Sequence, residues 1–192
     1  ATRVSDIADE AGVAYGLVYH YFNSKDEVLN ELFLERWSLL LAAIEEADRS
    51  EASPRAKLEA VAGFIIESYR HNPELMKVII VEVTRAANSF GRTHLSEIRQ
   101  AYDQIEKIVS DAQAAGEFRQ DVSPDFASML FYGAIEQLLS GWIFEIVPGS
   151  DEDFERAKLL VVETMAHAIR EFDAKVIIVD DAKLSPALGT LH

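Results

Sequence analysis

The 192-residue chain has no cysteine. That excludes a disulfide framework, a thiolate metal site and a cysteine nucleophile. Basic charge is scarce. Eighteen Lys and Arg stand against 33 Asp and Glu, a net charge of −15, which argues against a protein that coats nucleic acid along its whole length. No apolar run of membrane-spanning length is uninterrupted. The longest, Phe126 to Val147, is broken by Glu136, Gln137 and Glu145, so it reads as a helix buried in protein and no membrane partner is expected. No secretory leader is visible, and a cytoplasmic protein is expected. Gly-x-Ser-x-Gly, P-loop and Gly-x-Gly-x-x-Gly stretches are missing. No Glu-x-x-His pair suggests a dimetal bundle, and the five histidines are scattered. Neither an enzyme, a metal site nor a cofactor is expected. Alternating strand patterns and internal repeats are missing too, apart from one β-prone run, Val176 to Val179, expected in a poorly ordered tail.

What is present is clear helix punctuation. Ser24 and Glu27 have capping-box spacing. Ser53-Pro54, Asn72-Pro73 and Ser123-Pro124 each set a capping residue before a proline at the first helical position. Gly116 reads as a helix stop, and Pro148-Gly149 closes another helix. From Leu29 to Ile44 apolar residues recur at steps of three and four, the mark of one long amphipathic helix. Together these signals predict an all-α fold with helices near 3–11, 15–21, 25–48, 54–71, 73–88, 93–115, 124–147 and 151–173.

The chemistry is densest at the start, in Val4 to Leu29. Ile7, Ala8 and Ala11 give the first helix an apolar face, Gly12 permits a tight turn, and Val13 is expected to plug the angle between helices. Leu17, Val18 and Phe22 are expected to pack the second helix. Two short helices about a Gly-containing turn make a helix-turn-helix, whose second helix fits the major groove of DNA. Tyr15, Tyr19, His20 and Tyr21 supply donors on its free face, and Gly16 lets the backbone approach closely. Lys25, beside unpaired amides at a helix start, suits a phosphate, and Thr2 could cap the first helix and reach the groove's flank. Residues 1–36 hold three basic and seven acidic side chains, a net of −4. Long-range attraction there is weak, so short-range contacts and a doubled, dimeric grip must carry binding.

Ile7-Ala8, Ala11-Gly12-Val13, Gly16, Tyr19, Phe22, Ser24-Lys25 and Leu29 at this spacing resemble the DNA-binding signature of the TetR family of repressors. The resemblance implies that Ala14, Tyr15, Gly16, Leu17, Tyr19 and His20 read bases, and that Tyr19, Tyr21 and Lys25 hold phosphates. Ala14 stands where family members usually carry Ser or Thr, which removes one hydroxyl contact. The family also places a helix ahead of this stretch, and that helix is expected to lie outside these 192 residues. The organisation implied is a helix-turn-helix domain over 1–36, a helical ligand-binding and dimerisation domain over 37–174, and a tail over 175–192.

Within the second domain, Phe64, Tyr69, Met76, Ile80, Val83, Tyr102, Phe131 and Trp142 supply candidate pocket wall. His71, Glu82, Arg85 and Gln137 are candidates to fix a polar group. Heptad spacing of Ala127, Ala134 and Gly141, and of Phe154, Val161 and Ala168 with Met165 and Phe172, suggests a homodimer surface. The segment from Gly116 to Glu145 resembles the FadR-type, acyl-CoA-sensing branch through Gly116, Asp121, Gly133 and Trp142. The expectation is a ligand-responsive, one-component regulator that represses from a palindromic double-stranded DNA operator. A small apolar effector, with long-chain acyl-CoA the candidate, would release it, and Arg85 or Arg119 would meet the head group. The rival readings are a helical protein-interaction adaptor without DNA readout and a helical enzyme acting on small molecules.

Overall fold

The computed structural model describes residues 3–85 and 94–169, with the side chains of 81–85 excepted. Eight helices and no strand occur among the described residues. They are α1 (Val4–Glu10), α2 (Tyr15–Tyr21), α3 (Lys25–Arg49), α4 (Pro54–His71), α5 (Pro73–Arg85), α6 (Leu95–Ala114), α7 (Pro124–Ile143) and α8 (Asp151–Ile169). The expected ends of α5 and α8, and the run Val176 to Val179, lie outside the described residues.

The helix starts follow local chemistry. Ser24 Oγ accepts from the Glu27 amide at 3.1 Å, but Glu27 reaches back one residue further than the capping box requires, to the Asn23 amide at 2.6 Å. Ser53 Oγ accepts from the Ala56 amide and Asn72 Oδ1 from the Leu75 amide. Ser123 departs from this pattern because its hydroxyl donates to the Asp125 carboxylate instead of capping α7. The cap position of α1 is Arg3 rather than Thr2, which lies outside the described residues; the Arg3 amide bonds Asp6 at 2.8 Å.

Helix ends follow one recurring device. After α1, α6 and α7 the chain turns through a left-handed residue, with paired amide bonds back into the last turn. Gly12 (φ +64°) and Gly116 (φ +75°) take that position after α1 and α6. After α7 the position falls to Glu145 (φ 56°), and the Ile146 amide bonds Gly141 O at 2.8 Å. This turn ends α7 at Ile143, four residues before the expected Val147.

Two apolar clusters form. Val4, Ala8 and Val18, with Phe22 against them, hold α1 to α2. Val13 does not plug the angle as expected: its side chain is exposed, and its amide bonds Ala8 O at 3.0 Å. The large cluster starts on α3 at Leu40 and takes in α4, α6, α7 and α8. Its hub is α4, which touches α3, α5, α6, α7 and α8 through residues such as Leu58, Val61, Ala62 and Ile66. Each large apolar side chain so buried contributes roughly 1.5–3 kcal/mol. Because α3 runs from Lys25 into this cluster, one continuous helix joins the helix-turn-helix to the helical body.

The heptad stripes point the other way from the expectation. Ala127, Gly141, Phe154, Val161 and Met165 are buried within the chain; of the residues named, Ala134 and Ala168 face out, and Phe172 lies outside the described residues. A Cβ on Gly141 would come within 3.0 Å of Val147, so its smallness serves the chain's own turn. The outward face of α7 carries Phe126, Met129 and Leu130, and that of α8 carries Leu159 and Leu160, all exposed.

Candidate DNA-reading helix and effector cavity

Two turns long, α2 turns only Val18 fully inward. Tyr15 (52% exposed), Leu17 (46%), Tyr19 (43%) and Tyr21 (67%) stand outside, with Ala14, Gly16 and His20 also exposed. Leu17, expected to serve packing as well, is therefore an outward residue. Tyr15 and Tyr19 lie edge to face at 4.7 Å, and the hydrogen bond between them pushes the Tyr15 phenol up. A Cβ on Gly16 would meet open space, so nothing inside the chain requires glycine there. Lys25 is exposed in the first turn of α3 and has no ion pair among the described residues. The helix-turn-helix thus presents a row of aromatic donors, an open backbone and one free ammonium along one edge.

The pocket candidates separate into different places. Phe64, Met76 and Ile80 line one cavity of about 150 Å³ between α3, α4, α5 and α7. Tyr102 stands behind it, its ring 5.4 Å from that of Tyr132, a cavity residue. Tyr69 and Trp142 line another space, an open cleft of about 570 Å³ with Arg70, Glu145 and Asp151. There Arg70 pairs with Glu67 and Asp151, and Trp142 Nε1 donates to Pro148 O at 2.8 Å. Phe131 is fully buried core rather than pocket wall. Gln137 is exposed; it lies two residues from the cavity residue Leu139, hence roughly 160° round the helix from it. The side chains of Glu82, Val83 and Arg85 lie outside the described residues. Arg119 is held by Asp121 and His71 is exposed beside Glu67; neither lines the cavity.

Sequence reasoning missed the α3 side of the cavity: Arg36, Trp37, Leu39 and Leu40, with Ser68 and Tyr132 across from them. The available signal was Arg36. Its helical neighbours three and four residues away are Leu32, Phe33, Leu39 and Leu40, an apolar setting for a charge. Arg36 Nε is buried and makes no hydrogen bond among the described residues. A buried donor left unpaired costs roughly 1–3 kcal/mol.

Just beyond the cavity, α3 is fastened to the start of α6. His94 Nε2 sits 2.7 Å from Asn30 Oδ1, and Trp37 Nε1 donates to Glu97 O at 2.7 Å. The Phe33 ring lies between them, 4.8 Å from His94 and 5.0 Å from Trp37. Wall and latch therefore share one helical segment, residues 30–40 of α3. Among the described residues no cluster of three metal-ligating side chains occurs, and no helix is long and apolar enough to cross a membrane.

Comparison with known proteins agrees with this layout. Residues 1–32 match the family described as "Bacterial regulatory proteins, tetR family", and residues 54–165 match "Tetracyclin repressor-like, C-terminal domain". The "Fatty acid metabolism regulator protein" of Bacillus subtilis (strain 168) is 28% identical over 145 residues, covering 74% of this chain and 73% of that protein. The "HTH-type transcriptional repressor KstR2" of Rhodococcus jostii (strain RHA1) is 30% identical over 128 residues, covering 66% of this chain and 63% of that protein. In fold, the chain is similar to the crystal structure of the transcriptional regulator FadR from Bacillus subtilis in complex with stearoyl-CoA. The TM-score is 0.77 at 22% identity, over 88% of this chain and 89% of that one. These relatives are transcriptional regulators, and the chain belongs to the TetR family.

Proposed function

We propose that the chain is a repressor that binds a palindromic operator as a homodimer and leaves it when an elongated apolar effector, a long-chain acyl-CoA, enters the cavity between α3, α4, α5 and α7. The residues up to Lys25 read DNA, and the chain from Arg36 onward holds the effector and the partner subunit, so the expected boundary at 36/37 falls one residue inside the cavity wall. The protein works where its operator is, in the cytoplasm. The observation that carries this reading is that the cavity wall and Lys25, the expected phosphate contact, belong to the same helix. At about 150 Å³ the cavity is smaller than the roughly 300–1,000 Å³ of ordinary ligand sites. A long ligand must widen it. Widening displaces α3 or α5, so the ligand binds one arrangement better than the other and shifts the balance between them. A displaced α3 changes the position of α2, and two recognition helices with altered spacing no longer match two half-sites. The name of the Bacillus subtilis relative and the ligand in its solved counterpart support the choice of an acyl chain.

The test is a titration of acyl-CoAs of increasing length into a preformed protein–operator complex. Release should rise with chain length and be missing with free coenzyme A. An operator complex indifferent to every chain length, with no thermal stabilisation of the protein, would leave the effector reading without support.

A further inference from the structure

Arg36 stands apart among the described arginines. Arg3, Arg49, Arg55, Arg70, Arg119 and Arg156 each meet a carboxylate. Arg36 and Arg99 meet none among the described residues, but Arg99 is exposed to water whereas Arg36 is half-buried with its Nε enclosed. Its own helix explains part of this, since no acid lies three or four residues away. The fold adds the rest by turning it toward a cavity otherwise walled by Trp37, Leu40, Phe64, Ile79 and Ile80. The other polar groups of that wall are spent or neutral. Trp37 Nε1 is bonded to Glu97 O, and Ser68 Oγ donates to Phe64 O at 2.7 Å. Burial pushes the Tyr132 phenol up, which keeps it a neutral hydroxyl. Arg36 Nε is left as a buried donor without an acceptor.

We infer that Arg36 anchors the effector by donating to an acyl oxygen, so that the site takes a long apolar chain ending in a carboxylate or thioester carbonyl. The inference rests on the effector reading above and adds the atom that recognises the ligand's polar end. An apolar wall alone ranks ligands by size. A buried donor that gains an acceptor only in the complex discriminates by chemistry, because ligands without that oxygen leave it unpaired. The anchor also sits on α3, so the polar end of the ligand pulls directly on the helix that begins at Lys25. Guanidinium hydrogen bonds to a carboxylate are charge-assisted and those to a thioester carbonyl less so; the shared feature is the acyl oxygen.

The experiment compares three probes by direct binding: octadecanoate, octadecanoyl-CoA, and the thioether S-octadecyl-CoA, which lacks only the carbonyl oxygen. Trp37 in the wall serves as fluorescent reporter. The unaltered protein should prefer one or both acyl compounds over the thioether by about 10–100-fold, the worth of one hydrogen bond to a charged donor. Whichever of octadecanoate and octadecanoyl-CoA binds more tightly identifies the source of the oxygen. Arg36→Met should abolish that preference, binding the thioether as well as the unaltered protein does. Its ligand-free melting temperature should be unchanged or higher, because an unpaired buried donor has gone. Arg36→Lys should restore part of the preference. Equal acyl and thioether binding by the unaltered protein, or an undiminished preference in Arg36→Met, overturns the anchor while leaving an apolar effector standing. If none of the three probes binds the unaltered protein, the anchor and the acyl effector fall together.

Discussion

At the scale of single residues, the edge proposed to face DNA is expected to divide into holding and reading groups. Lys25 has no ion pair among the described residues and stands at a helix start, where exposed amides and an ammonium suit a phosphate. Lys25→Ala should weaken binding to every duplex and flatten the salt dependence by about one unit of slope. His20 lies on the outward face of α2. His20→Ala should instead change which bases are preferred, with a salt slope close to that of the parent protein. Selection from random duplexes, followed by affinity measured across salt, separates the two; a His20→Ala protein that selects the same site would remove His20 from the reading set. This edge was legible from the sequence because its signature is local. Only the outward turn of Leu17 and Val13 was not, since exposure depends on what packs alongside.

At the scale of elements, the ends of α1, α6 and α7 are set by a residue in the left-handed region. Gly12 and Gly116 do so without cost, whereas Glu145 (φ 56°) carries a strained backbone after α7. Glu145→Gly should therefore raise stability by about 1 kcal/mol, and Gly12→Ala should lower it by a similar amount because φ +64° is disfavoured once a Cβ is present. Urea denaturation compares them directly, and a destabilised Glu145→Gly would show that the side chain, not the backbone, matters at that turn. The latch between α3 and α6 is also an element-scale device. Asn30→Ala removes the partner of His94 Nε2. Effector affinity should change little, while the amount of effector needed to release DNA shifts; identical release curves for the variant and the parent would show that the latch carries no coupling.

At the scale of the molecule, the exposed apolar faces of α7 and α8 are the surface proposed here for a second copy of the chain. Phe126, Met129, Leu130 and Leu160 lie there, each more than half exposed. A Cβ on Gly133 of the same face meets open space, and Ala134 beside it faces out. Small residues beside large ones allow two helices to approach closely and interlock. Leu130→Glu should place a charge in this contact and yield monomers in sedimentation, with operator affinity falling because one half-site is lost. Gly141, named by heptad spacing alone, is the internal control: a bulkier residue there meets Val147 of its own chain and should lower stability without separating subunits. Dimers that persist in Leu130→Glu would move the interface elsewhere.

The sequence by itself determined the helical class, most helix starts and the helix-turn-helix, because caps, prolines, left-handed glycines and the helix-turn-helix spacing all act within a few residues of where they stand. The tertiary structure alone decided which stripe of α7 and α8 faces inward. Heptad spacing defines a stripe but not its partner, and α4 claimed Phe154, Val161 and Met165 for the interior. It also decided membership of the cavity, admitting Arg36 and Tyr132 while consigning Phe131 to the core and Gln137 to the outside. This cavity exists where α3, α4, α5 and α7 converge, and that convergence joins residues more than a hundred positions apart, from Arg36 to Leu139.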